Sequence, residues 1–108
     1  MIKEMKKGRR GSRLLRFKTP KGIVYHIRFR KPDVRTWGDD CCGVCFFPVG
    51  GEGKIYVSPH RGNQTQLNTL IHEVTHAYFG DKTETEVTSF ANTLSRILYG
   101  LKWRKNKN

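Results

Sequence analysis

The sequence predicts an α+β fold, in which a small sheet of three or four strands packs on two helices. The second half of the chain repeats apolar residues at the helical period, whereas the first half alternates short β-rich segments with turn residues. At 108 residues the chain has room for one domain with a small core. We expect a basic arm at residues 1–12, the domain at 13–101 and a basic tail at 102–108.

Four segments of the first half are predicted to be strands. Residues 13–18 and 22–30 are joined by turn residues at 19–22 and predict a β-hairpin with outward Arg and Lys side chains. Residues 41–49 and 55–58 predict two further strands. Between them, Trp37 is a candidate core anchor in an irregular segment. Both apolar helix stripes can be buried if an antiparallel or mixed sheet carries the two helices on one face.

Two helices follow the strands. The first is predicted from the apolar residues Leu67, Leu70, Ile71, Val74, Ala77 and Tyr78. Asn63 or Thr65 can cap its start, and Gly80 can end it. The second helix covers about residues 83–101. The short connection between the two predicts an antiparallel helical hairpin.

The motif His72-Glu73-x-x-His76 lies on the first helix, on roughly the opposite side from its apolar stripe. Residues four apart share a helix face, so the two imidazoles can bind one metal ion. Glu73 projects beside them, where a carboxylate can accept a proton from an attacking water. The motif therefore predicts a catalytic zinc site.

A catalytic zinc site needs a third protein ligand, and no histidine follows His76. The hairpin brings the first turn of the second helix near His76, and that turn carries Glu84 and Glu86. Helical angle does not choose between these carboxylates. Glu86 also fits a capping box with Thr83, and Glu84 fits the same pattern one turn earlier with Asp81.

The motif, followed by Glu84-x-Glu86-x-x-x-Phe90-Ala91, resembles the zincin metallopeptidases of the ImmA/IrrE type. It is also similar to small phage-encoded zincins loosely grouped with the SprT-like proteins. The resemblance covers about residues 54–100 and implies a minimal zincin-like domain that binds Zn²⁺. It favours Glu86 as the third ligand, in a gluzincin-like set with His72 and His76. It also implies that the strand before the motif helix, residues 55–58, binds extended peptide along its edge.

Two functional hypotheses follow. The first is a zinc-dependent metallopeptidase, in which metal-activated water hydrolyses peptide bonds and Glu73 is the general base. Tyr78, Tyr99 and His60 are candidate oxyanion donors. The alternative is a zinc-stabilised basic module that binds nucleic acid or protein without catalysis. An intact Glu73 favours the enzyme, because a structural zinc site has no use for a base.

The charge of the chain bears on its partners. Its 21 Lys and Arg against 9 acidic residues give a net charge of +12. Many of these cations lie in the terminal tails, where they can attract nucleic acid without reading its sequence. No segment is long and apolar enough for a membrane helix or a signal peptide. The peptidase hypothesis implies protein or peptide substrates. From the lack of such segments we expect no membrane contact and a cytoplasmic location, which is the host cytoplasm if the chain is phage-encoded.

Three cysteines lie close together at Cys41, Cys42 and Cys45. Cys42-x-x-Cys45 has the spacing of half a zinc site, but no second pair follows, and His60 can complete it only if the fold brings it near. An odd number of cysteines in a chain expected to be cytoplasmic favours ordinary reduced thiols. We expect no metal at these cysteines.

Overall fold

The computed structural model describes residues 15–32 and 42–103 and confirms the α+β prediction. A four-stranded mixed sheet packs on a helical hairpin. The arm at 1–12, Trp37 and Cys41 lie outside the described residues. No helix in the described ranges is both long and apolar enough to cross a membrane. In chain order the elements are β1 (Leu15–Lys18), β2 (Val24–Arg28), β3 (Gly43–Phe46), β4 (Gly53–Val57), α1 (Asn63–Tyr78) and α2 (Glu84–Gly100).

The first two strands form the predicted antiparallel hairpin. Its turn is closed by a hydrogen bond from the Gly22 amide to the Thr19 carbonyl, at 2.8 Å. Gly22 has a φ of 85°, a left-handed conformation that costs glycine little because it has no Cβ. The turn predicted at residues 19–22 is therefore confirmed.

The order of strands in the sheet is β1-β2-β4-β3. β4 runs parallel to β2 and antiparallel to β3, so both of its edges are occupied. The expectation that residues 55–58 offer an edge to extended peptide is therefore wrong. Among the described strands, β3 is the outer one on that side. Strand β3 precedes β4 in the chain but lies on the outer side of β4 in the sheet. Local sequence patterns do not encode this crossover.

The core lies between the sheet and α1. Alternate residues of β2 and β4 are buried there, with α1 packed over them through an apolar stripe, as the helical period predicted. Neighbouring strands add Phe17 and Cys45 to the same face. The buried strand residues are Tyr25, Ile27, Ile55 and Val57, and the helix contributes Leu70, Val74 and Ala77.

The second helix packs mainly on α1 rather than on the sheet. Its buried face is the narrow stripe of Val87, Ala91 and Ser95, which are all at most 1% exposed. Such small residues let the two helix axes approach closely. An exposed hydrogen bond from Asn68 Nδ2 to Asn92 Oδ1, at 2.7 Å, also links the helices.

The ends of the two helices differ in how well they were predicted. α1 begins after Gly62, which provides no side-chain cap, so the capping roles expected for Asn63 and Thr65 are wrong. α2 begins at a capping box: Thr83 Oγ1 accepts from the Glu86 amide, and the Glu86 carboxylate accepts from the Thr83 amide. This cap satisfies two amides that would otherwise lack partners.

Strand β3 approaches α1 closely at Gly43. A Cβ built on this glycine would overlap Thr69 Cγ2 and would lie 2.9 Å from the Tyr56 carbonyl oxygen and 3.5 Å from Glu73 Cγ. The Tyr56 oxygen is backbone and cannot turn aside. Because glycine has no side chain, β3 can approach α1 closely at Gly43.

We expect Gly43→Ala to destabilise the fold by about 1–3 kcal/mol, the usual cost of overpacking. Urea unfolding measures the change. Gly51→Ala is the matched control, since nothing lies within 4 Å of its Cβ position, and it should stay within about 0.5 kcal/mol of the parent chain. Equal stabilities for the two variants would contradict the close approach of β3 to α1.

Candidate metal centre

Three potential metal ligands converge between the helices: His72, His76 and Glu84. The two Nε2 atoms lie 3.2 Å apart. One carboxylate oxygen of Glu84 lies 2.9 Å from His72 Nε2, and the other lies 2.9 Å from His76 Nε2. The four-residue spacing on α1 brings the imidazoles together, and the helical hairpin brings the carboxylate to them.

The geometry of this cluster suits a small cation. Zinc with ligand bonds of about 2.0 Å in a tetrahedron separates its ligand atoms by about 3.3 Å. The observed separations of 2.9 and 3.2 Å come close to that value. Two imidazole nitrogens and a carboxylate are also a known catalytic zinc set, which leaves a fourth position for water or substrate. The residues therefore fit the metal in both chemistry and spacing.

The three side chains differ in their exposure to solvent. The histidine side chains are 20% and 22% exposed, whereas that of Glu84 is 69% exposed. The imidazoles are therefore held by the packing of α1, while the carboxylate closes the cluster from the solvent side.

Glu86 does not join this cluster. Its carboxylate accepts from both the amide and the hydroxyl of Thr83, and these hydrogen bonds lower its pKa. The resemblance favours Glu86, whereas the glutamate that reaches the histidines in the structure is Glu84. The physical reason is the capping box, which holds the Glu86 side chain at the start of α2. Whether either residue binds metal stays a prediction.

Glu73 lies between the histidine pair and strand β3. Its Cγ is near the backbone of Gly43, and Cys45 is close enough for the charge of Glu73 to affect its thiol. Burial, and after it the negative charge of Glu84, raise the pKa of Glu73 from 4.5 to about 7. A carboxyl group with this pKa can both accept and release a proton near neutral pH.

The cysteines of the described ranges are not arranged as half of a zinc site. Cys42 and Cys45 are both free and half-buried. Residues three apart along an extended chain project to opposite faces, so the spacing that suits a metal-binding turn separates the thiols here. Burial raises the pKa of Cys45 to about 12, with Glu73 adding to the effect. The Cys45 side chain packs against the buried core.

None of the three candidate oxyanion donors makes a hydrogen bond or ring contact with the cluster within the described residues. Tyr78 stacks on Phe17, toward the hairpin of the sheet. Tyr99 is 15 residues beyond Glu84 on α2, which is about 22 Å along the helix axis. His60 precedes the start of α1, and its amide donates to Ser58 Oγ. An oxyanion donor is therefore not assigned.

Sequence reasoning missed two neighbours of Glu73, namely Gly43 and Cys45. Both lie on β3, and β3 reaches α1 only through the long-range strand order β1-β2-β4-β3. No local signal marks either residue, because a glycine at a strand start and a cysteine in a strand are common. To find them, one would have to know in advance that α1 packs against β3.

Comparison of the chain with protein-family models, with curated proteins and with solved structures gives no match. The argument for function therefore rests on the site itself.

The raised pKa of Glu73 predicts a stability change in metal-free protein. Between pH 4.5 and 7 the folded chain binds more protons than the unfolded chain, so the free energy of unfolding falls as the pH rises through this window. Glu73→Gln carries no charge and should escape that loss. In chelator, the variant should melt above the parent chain at pH 8 and close to it at pH 4. A variant that melts lower at pH 8 would contradict the buried, unfavourable charge.

Proposed function

We propose that this chain is a zinc-dependent metallopeptidase that hydrolyses peptide bonds. The observation that carries the proposal is the convergence of the His72, His76 and Glu84 ligand atoms beside a half-buried carboxylate that is not one of them. Zinc hydrolases combine these two elements, an open three-ligand site and an adjacent base.

The three ligand residues would hold the metal from two directions. His72 and His76 project from one helix, and Glu84 comes from the next, so binding ties α1 to α2. A zinc ion there would supply Lewis-acid activation of a water molecule and of the substrate carbonyl. This link between the helices would also stabilise the fold, because a domain of this size has only a small hydrophobic core.

Glu73 would act as the general base. Its carboxylate would take a proton from the attacking water and return it to the leaving amine nitrogen. It lies against β3 near Gly43 and Cys45, and its burial there raises its pKa to about 7. Cys45 lends no charge to this step, since its thiol stays protonated.

Strand β3, rather than β4, is the strand along which we expect an extended peptide to lie. It is the outer strand of the described sheet on that side, and it approaches Glu73. An extended substrate adds to such a strand through main-chain hydrogen bonds, which read no side chains. The part of the substrate nearest Glu73 would then meet the metal ligands.

The alternative function is a zinc-stabilised binding module without catalysis. Structural zinc sites are closed by four protein ligands, whereas the described residues supply three. A structural site also gains nothing from burying an unfavourable carboxylate next to it. Both observations favour the enzyme, although the basic surface of the chain suits the module and suits an enzyme recruited to nucleic acid.

Metal analysis of purified variants tests the ligands. Glu84→Ala should weaken zinc binding by about 100-fold or more, above the cost usual for outer-shell residues. Glu86→Ala should keep zinc and should only lower the melting temperature slightly, through loss of the helix cap. The two glutamates are matched in type and helix turn, so each controls for the other. Retention of zinc by Glu84→Ala with its loss from Glu86→Ala would assign the ligand to Glu86.

Glu73→Gln tests the reaction. The variant keeps the shape of the side chain, so zinc content and fold should be preserved, while hydrolysis of a peptide library should fall by about 10² to 10⁴. Hydrolysis at the parent rate would remove Glu73 from the mechanism. A zinc-loaded parent chain that cleaves no peptide in the library would favour the binding module.

A further inference from the structure

The face of the sheet turned away from α1 carries a row of basic side chains. Because neighbouring strands pair in register, Arg16 of β1, His26 of β2 and Lys54 of β4 lie side by side across three strands. Neighbouring strands are about 4.8 Å apart, so the row spans about 10 Å. Arg28 projects on the same face one step further along β2. We call these four residues the cationic row.

The charges of this row are not neutralised within the described part of the chain. Arg16, Arg28 and Lys54 are exposed and form no ion pair there. His26 is the exception, since its Nε2 is paired with Glu52. The other acidic residues of the described ranges are on α1 or the helical hairpin: Glu73, Asp81, Glu84 and Glu86. Arg16 and Lys54 lie on either side of His26, about 10 Å apart, so the row presents separated positive charges to which an anionic ligand can bind.

Aromatic residues continue the row on β3. Phe46 pairs with Lys54 across the strands, and its ring packs edge-on against the Tyr56 ring, with 5.9 Å between the ring centroids. Arg30 lies 6.0 Å over the Tyr56 ring. Next to them, Phe47 is 55% exposed. These residues line a groove of about 470 Å³ that Lys54 also borders.

We propose that this face binds single-stranded nucleic acid. The cationic row would take consecutive phosphates, and the aromatic groove at its end would take an unpaired base. Proteins that bind single strands without reading sequence combine these two features, a positive track and aromatic stacking surfaces. The proposal goes beyond the peptidase function, because the face is on the opposite side of the sheet from α1 and uses none of the metal ligands.

The chemistry favours a nucleic acid over an anionic membrane. A lipid surface attracts cations but offers no planar group for the groove, and the described helices present no basic amphipathic face beside the row. Duplex DNA offers phosphates but keeps its bases stacked. A single strand uses both the row and the aromatic residues.

The test uses the full chain and a fluorescently labelled 20-nucleotide oligo-dT, with binding followed by anisotropy between 50 and 200 mM salt. The first variant combines Arg16→Gln, Arg28→Gln and Lys54→Gln. Its matched control combines Lys21→Gln, Lys82→Gln and Arg96→Gln, which are exposed cations off this face. Each variant removes three positive charges, and both keep the basic ends of the chain.

We expect the row variant to raise Kd about tenfold or more and to lower the slope of log K against log salt by about 2, the value for three lost phosphate contacts. The control should stay within threefold of the parent. Phe47→Ala should weaken oligo-dT binding about fivefold or more, whereas Phe90→Ala, at a phenylalanine of α2 that is 50% exposed, should not. Thermal melting of each variant verifies that it is folded.

Three results would overturn the proposal. Equal losses in the row variant and its control would mean that net charge alone attracts the oligonucleotide. Equal or tighter binding of a 20-base-pair duplex would remove the role of the unpaired base. Binding of vesicles containing phosphatidylserine that depends on the row, together with an oligo-dT affinity that does not, would make the face a membrane contact.

Discussion

The site depends on α1 having two packing partners at once. One side of the helix covers the sheet through Leu70, Val74 and Ala77, and another side packs on α2. Only a narrow strip remains between these contacts, and His72, Glu73 and His76 occupy it. The motif is therefore held between two packed surfaces, so its side chains are oriented before any ligand arrives. Preorganisation of this kind suits the metal centre proposed above.

The sequence was informative wherever a feature is local. The hairpin turn, the two helices and the histidine pair follow from spacing alone, and the structure has them where they were expected, although the start of α1 has no side-chain cap. The choice between Glu84 and Glu86 could not be made in this way. Both flank the buried stripe of α2, and both fit a capping pattern. In the structure Glu84 reaches the histidines because the cap retains the Glu86 carboxylate, and this placement depends on the path of the chain after Phe79.

The position of β3 in the sheet could not be predicted from the sequence, for a related reason. Strand order is a property of pairings between distant residues, and the crossover that places β4 inside the sheet leaves no local pattern. It nevertheless decides two structural features on which the proposals rest: which strand lies beside Glu73, and which side chains share the outer face of the sheet. Alternation along each strand was predicted, whereas the alignment of Arg16, His26 and Lys54 into one row needed the register.

The connection between the helices has a consequence for recognising related chains. It runs from Phe79 to Thr83 and is closed by a hydrogen bond from the Lys82 amide to the Phe79 carbonyl, at 3.1 Å. Glu84 is the first residue of α2, and a helix turns by about 100° per residue, so a glutamate one position later would point away from the imidazoles. The distance of eight positions from His76 to Glu84 is therefore a constraint in itself. A relative could differ in composition almost everywhere and still be recognised by the count of residues between its second histidine and that glutamate.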